Sequence, residues 1–226
     1  GELINRGGMA RRLIALAKLV VGRLPGGLLY VNVLACMMFG AISGSAVAAA
    51  AAIGGFMAPL LQKEGYDRDF GAAVNITSAT TGLVIPPSNV MIVYSLASGG
   101  VSIGALFMAG YVPGIILGLS IMAVAAVVSV LRGYPVAERV GLRDGVRIVL
   151  DALPSLALVI VVIGGIVGGF FTATEASAVA VVYALVVGLV VHREIRLADL
   201  HPILLTSATT TAIITLLIGT SMGMSW

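Results

Sequence analysis

The residues best suited to chemistry in this sequence carry no charge. Ser43-Gly44-Ser45 interrupts one long apolar run, and Gly82-Leu-Val-Ile85-Pro86-Pro87-Ser88-Asn89 interrupts another. Proline removes a backbone donor, clashes with the carbonyl four residues back and drives its predecessor out of the helical region. Pro86 and Pro87, with Gly82 upstream, therefore predict one half-helix ending near Thr81 and a second starting near Pro87. Half-helix C-termini turn free carbonyls toward a cation. Half-helix N-termini, here after Ser45 and after Pro87, offer N–H groups and the positive end of the helix dipole to an anion. Such ends make a neutral site for a cation and a carboxylate together. Proton relays in membranes use Asp, Glu or His, and their absence from these runs favours a metal cation such as Na+. The plainer alternative is that the Ser and Gly residues allow close helix packing and that the proline pair is a kink.

The elements that must position these residues follow from composition. Of 226 residues, 59% are hydrophobic and 10% charged, with 29 glycines, which excludes an ordinary soluble domain. The uncharged runs Leu28–Leu61, Phe70–Leu131, Ala152–Phe171 and Ala176–Val191 approach or exceed the roughly 20 residues a helix needs to cross about 30 Å of hydrocarbon. The expected fold class is an all-α polytopic membrane protein. Leu28–Leu61 would be roughly 50 Å long as one helix, at about 1.5 Å per residue, so it must turn. Each arm has only about 15 to 17 residues, short for a full span, and the prediction is a re-entrant helical hairpin with its tip at Ser43-Gly44-Ser45. Broken backbone at membrane depth is tolerated only where protein or a cavity covers it. The two breaks are therefore expected to cover one another.

Lys and Arg fall in four clusters: Arg6 to Arg23, Lys63 with Arg68, Arg132 to Arg147, and Arg193 with Arg196. If these mark the cytoplasmic side, the turns Gly99–Ser102 and Thr172–Glu175, which carry no basic residue, lie on the other side. Leu13, Leu16, Ala17 and Val20 are helically spaced opposite Arg11, Arg12 and Lys18, and Val140 to Leu150 interleaves Arg143 and Arg147 in the same way. Both segments suit helices in the headgroup plane or solvated connectors. Thr172-Ala-Thr-Glu175 has capping-box spacing, and Glu175 is read as that cap or as a contributor to a site. Cys36 is the only cysteine, which excludes a disulfide or a thiolate metal site within the chain and leaves a packing role. Gly1 and Trp226 both read as cut ends, so the chain is expected to be a fragment of a longer one. No separate basic domain exists to bind nucleic acid. Ile42-Ser43-Gly44 is faintly similar to the serine motif of rhomboid proteases, intramembrane serine hydrolases, but His192 and His201, the candidate bases, fall in a predicted cytoplasmic connector.

Ser43-Gly-Ser-Ala-Val-Ala48, Glu64-Gly-Tyr-Asp67, Ile85-Pro-Pro-Ser88 and Gly100-Val-Ser-Ile-Gly-Ala-Leu-Phe107 occur in that order, followed by Gly110-Tyr-Val-Pro-Gly114, Gly168-Gly-Phe-Phe-Thr-Ala-Thr-Glu-Ala176 and Val181-Val-Tyr-Ala-Leu185. On these motifs the chain resembles the large membrane subunit, DctM-like, of the tripartite ATP-independent periplasmic (TRAP) transporters. The resemblance implies a multi-pass protein of a bacterial inner membrane that imports an organic acid with Na+ as coupling ion and no other cofactor. It also implies a periplasmic substrate-binding protein (DctP-like) and a small membrane subunit (DctQ-like) as partners, and an elevator mechanism in which paired hairpins and broken helices move against a scaffold.

Carried over by position, the Na+ ligands would be Ser43, Gly44, Ser45, Gly82, Ile85 and Pro86, through carbonyl and hydroxyl oxygens. The substrate would meet Ser45, Pro87, Ser88 and Asn89. The chain departs from the family pattern at Ala49, where Asp is common, at Leu83, where Pro often follows the glycine, and at Asn89-Val90, where many members have Ile-Pro. The expected organisation is an interfacial arm at 1–25, the hairpin at 26–62, the broken helix at 63–103, a span with a basic connector at 104–150, and further spans at 151–226, cut before a second hairpin. A stand-alone Na+-coupled carboxylate carrier of related fold, needing no binding protein, is the alternative.

Overall fold

A computed structural model of the chain describes residues 2–3, 8–136 and 141–224, and these are helical apart from turns, connectors and one isolated bridge between Pro25 and Val136. Arg6 and Val140, used above to mark basic segments, lie outside the described residues. In chain order the helices are α1 (Met9–Val21), α2 (Gly27–Ser43), α3 (Ala46–Lys63), α4 (Arg68–Val84), α5 (Asn89–Ala97), α6 (Ile103–Arg132), α7 (Leu142–Val167) and α8 (Ala173–Val186). A π-helical turn, Val187–Val191, extends α8, and a 3-10 turn, Leu197–Asp199, leads into α9 (Leu200–Met224). Five of these stretches are long and apolar enough to cross a membrane, and the count rises to six if α4 and α5, bent by 50° at their junction, act as one broken span.

Helix α2 is the centre of the molecule. It is apolar on every side, and Leu29, Val31, Val33, Cys36 and Phe39 are all fully buried, as expected of a helix without a polar face. Helices α1, α3, α4 and α6 pack around it. Helix α4 crosses α2 so closely at Gly82 that a Cβ there would overlap the Cα of Gly40. Asn75 fastens the same group of helices by polar contacts. Its Nδ2 donates to Ala50 O at 2.9 Å in α3, and its Oδ1 accepts from Cys36 Sγ at 3.5 Å in α2. Cys36 thus packs in the core and also serves as a weak donor.

Local signals set the helix ends. Ser45 Oγ accepts from Ala48 N–H to start α3, Asp67 Oδ1 accepts from Phe70 N–H to start α4, and Ser102 Oγ accepts from Ala105 N–H to start α6. The capping box expected at α8 is present: Glu175 N–H donates to Thr172 Oγ1, and Thr172 N–H donates to the Glu175 carboxylate.

Two boundaries differ from the sequence reading. Helix α4 continues to Val84 and α5 begins at Asn89, so the break is Ile85–Ser88 instead of opening near Thr81. A proline takes hydrogen bonds away from the carbonyls before it without unwinding them, so the helix persists until the residue in front of Pro86. The basic segment and the following span form one helix, α7, crossing the expected boundary at residue 150. Pro154 sits within it, and its carbonyl accepts from Tyr183 OH at 2.8 Å, which ties α7 to α8.

At the basic end a cluster of side chains clamps the α3–α4 turn. Arg132 pairs with Asp67 at 3.3 Å and donates to Tyr134 OH at 3.2 Å, while the Tyr66 and Tyr134 rings lie 4.4 Å apart. Tyr66 OH and Gly26 N–H both donate to Pro135 O, each at 3.2 Å. The start of α2, the turn after α3 and the end of α6 thereby converge on a few atoms.

Candidate functional site

The tip between α2 and α3 and the break between α4 and α5 meet. Gly44, with φ of 66°, ends α2 in the left-handed region that favours glycine. It faces Asn89 so closely that an added Cβ would lie 2.9 Å from the Asn89 side chain and 3.1 Å from the Asn89 backbone nitrogen. Ser45 N–H donates to Ser43 Oγ at 3.4 Å, which turns the chain from α2 into α3. The N-termini of α3 and α5 thus approach each other, and beside them end α2 and α4.

Backbone accounting shows what these ends offer. Pro86 and Pro87 have no N–H to give the carbonyls of Gly82 and Leu83, so the last turn of α4 holds oxygens without their helical partners. At the start of α5, the Ile92 amide bonds Ser88 O, while Ser88 provides no side-chain cap. Ser88 is fully buried, and its Oγ has no hydrogen-bond partner among the described residues. An unpaired hydroxyl in this position costs about 1–3 kcal/mol, and here it stands among free helix-end groups. Two cavities flank the contact, and Ser43 and Asn89 line both. One, of about 190 Å³, also contains Gly44, Pro87, Phe107 and Ser177. The other, of about 380 Å³, lies against Ser45, Ser207, Thr210 and Thr211, with Glu2 at its edge.

The residues named from sequence are therefore distributed unevenly. Ser43, Gly44, Ser45, Pro87, Ser88 and Asn89 are gathered at the contact. Gly82 is buried at the α2–α4 crossing, one turn before the break, and can serve the site only through its carbonyl. Ile85 and Pro86 turn their side chains to an apolar cavity of about 330 Å³ with Met37, Met38 and Tyr111, leaving their backbone as the group that faces the break. Helix α6 covers the break from behind. Gly110 sits against the Val84 carbonyl, Gly114 against Ile85 and Gly118 against Met37, each without room for a Cβ. The hydroxyl stripe of α9 was missed in the sequence reading. Ser207, Thr211 and Thr215 recur every four residues on an otherwise apolar helix, and that spacing was its available signal. Thr210 and Thr211 Oγ1 donate to Thr206 O and Ser207 O, at 2.9 and 2.8 Å, which uses their donors and leaves lone pairs able to accept.

The whole chain, residues 1–226, matches the family described as tripartite ATP-independent periplasmic transporter, DctM component. The chain belongs to the DctM family. It is 57% identical to the protein YgiK of Salmonella typhimurium over its full length, which is 52% of that relative. It is 42% identical to the C4-dicarboxylate TRAP transporter large permease protein DctM of Pseudomonas aeruginosa, with 98% of this chain and 52% of that one aligned. It is 34% identical to the 2,3-diketo-L-gulonate TRAP transporter large permease protein YiaN of Escherichia coli, covering 100% of this chain and 53% of the relative. The chain thus spans about half the length of the curated relatives it matches. Membership in a family of permeases, not of enzymes, replaces the serine-hydrolase alternative. His192, expected in a connector, has a half-buried ring beside Arg12 and Glu194, and its Nε2 is buried without a hydrogen-bond partner among the described residues.

Proposed function

We propose that this DctM chain carries the first of two opposed half-sites of a Na+-coupled TRAP permease for an organic acid, delivered by a periplasmic binding protein and moved by an elevator motion. The observation that carries the reading is the contact of Gly44 with Asn89 beside the buried, unpaired Ser88 hydroxyl. Carbonyls at the ends of α2 and α4 suit a small hard cation, and the paired N-termini of α3 and α5 suit a carboxylate. The two ligands bound side by side would compensate each other's charge in a site of low dielectric, which is the physical basis of obligatory coupling. In this reading the α3–α4 turn lies on the cytoplasmic face of an inner membrane, which the basic clusters support. A small membrane subunit completes the complex in this reading. The substrate class rests on relatives whose names specify C4-dicarboxylates and 2,3-diketo-L-gulonate.

Uptake into proteoliposomes containing the full-length subunit, its small partner and the cognate binding protein tests the proposal. Transport is expected to require a Na+ gradient and the binding protein. Ser45→Ala and Asn89→Ala are expected to raise the Na+ or substrate concentration needed for half-maximal uptake at unchanged expression. Uptake that a proton gradient drives without Na+ would overturn the coupling, and Na+-driven uptake without the binding protein would favour a stand-alone carrier.

A further inference from the structure

A crevice of about 310 Å³ separates α3 and α4 beside α2, with Gln62 and Asp67 at its mouth and Gly54, Asn75 and Asn32 at its inner end. Gln62 and Asp67 are exposed, whereas Asn32 is fully buried, and neither its Oδ1 nor its Nδ2 has a hydrogen-bond partner among the described residues. A carboxamide has two N–H donors and an oxygen with two lone pairs, and burying it without partners is strongly unfavourable. Asn75 does not relieve it: its amide donates to Ala50 O and its oxygen accepts from Cys36, and among the described residues no hydrogen bond joins it to Asn32. Two charged residues line the crevice, Asp67 and Arg68, and both are exposed; Asp67 is engaged with Phe70 N–H and Arg132.

We infer that the crevice is a hydrated site whose ligand is a cluster of ordered waters anchored on the Asn32 carboxamide. The occupant must donate and accept at the same spot, must be neutral at a depth where no counter-charge is offered, and must be small. Water meets all three conditions, and the crevice has room for several molecules at about 30 Å³ each. The α2–α4 crossing at Gly40 and Gly82 bounds the wet zone, eight residues or roughly 12 Å along α2 from Asn32 at about 1.5 Å per residue. That crossing then stands between water at the basic end and the tip at Ser43. The inference does not depend on the proposed transport reaction, since it concerns only what solvates Asn32.

Hydroxyl-radical footprinting of the full-length, detergent-solubilised permease tests it without a mutation. Met57 and Met9 are both buried, at 1% and 0% exposure, but Met57 lines the crevice and Met9 does not. Ordered water beside Met57 is expected to make its oxidation at least several-fold faster than that of Met9. Equal rates would overturn the inference. A second measurement uses Asn32→Leu, a near-isosteric apolar replacement. Over a dry crevice it removes an unsatisfied group and raises the unfolding temperature, which would also overturn the inference. Over a wet one it displaces bound water and is expected to leave that temperature unchanged or lower, while slowing Met57 oxidation toward the Met9 rate.

Discussion

Gly44 shows how much one residue can carry at the point where α2 hands over to α3. An alanine there would take on the left-handed conformation, at about 1–2 kcal/mol, and would also press on Asn89. Gly44→Ala is expected to abolish or strongly reduce uptake while leaving the full-length protein folded, as judged by size-exclusion elution and unfolding temperature in detergent. His192 gives a residue-scale prediction of a different kind. Burial first, and then Arg12, push its imidazole below the ordinary value, with Glu194 and Asp151 opposing. The unfolded chain then takes up the proton more readily than the folded one. Stability is therefore full above about pH 6.5, the ordinary imidazole value, and declines as pH falls below it until the folded-state value is passed. Unfolding temperatures measured from pH 8 to pH 5 are expected to show this decline, and His192→Gln is expected to flatten it.

At the scale of elements, the proposed site relies on helix ends in place of charged side chains, and close crossings hold those ends in place. Gly82→Ala would force α4 away from α2 at Gly40 and is expected to cost about 1–3 kcal/mol, the usual range for overpacking, measured as a lower unfolding temperature. The clamp at the basic end separates two contributions. Tyr66 is buried and its hydroxyl bonds Pro135 O, so Tyr66→Phe is expected to cost about 1 kcal/mol. The Arg132–Asp67 pair is exposed on both sides, and Arg132→Ala is expected to shift the unfolding temperature far less. The Asp67 carboxyl is held below its usual range by Phe70 N–H and then by Arg132. Its contribution to stability is present above the ordinary aspartate value of about 3.9 and disappears only as pH falls through the lower folded-state value.

For the whole molecule, tip, break and crossing form one structure around α2, and an ion bound at the contact should stabilise all of it. Replacing Na+ by K+ at constant ionic strength is expected to lower the unfolding temperature of the full-length permease, and Gly44→Ala is expected to remove most of that difference. Much of this architecture was legible in the sequence. The uncharged runs dictated membrane helices, Ser43-Gly44-Ser45 and Pro86-Pro87 dictated where helices must turn or break, and Thr172 and Glu175 dictated a cap, because each is a local rule of solvation or backbone chemistry. The end of α4 at Val84 was less legible, since proline acts on carbonyls behind it and the helix can run up to it. That the tip and the break cover one another was expected from the cost of bare backbone at membrane depth, but tertiary structure alone decided which residues touch. Gly44 lies on Asn89, Gly82 lies on Gly40, and three glycines of α6 close over the break because close packing selects partners across long separations, and no local pattern encodes them. The same is true of Asn32 and Ser88, polar residues of ordinary appearance in sequence, which became informative once the fold had buried them without partners.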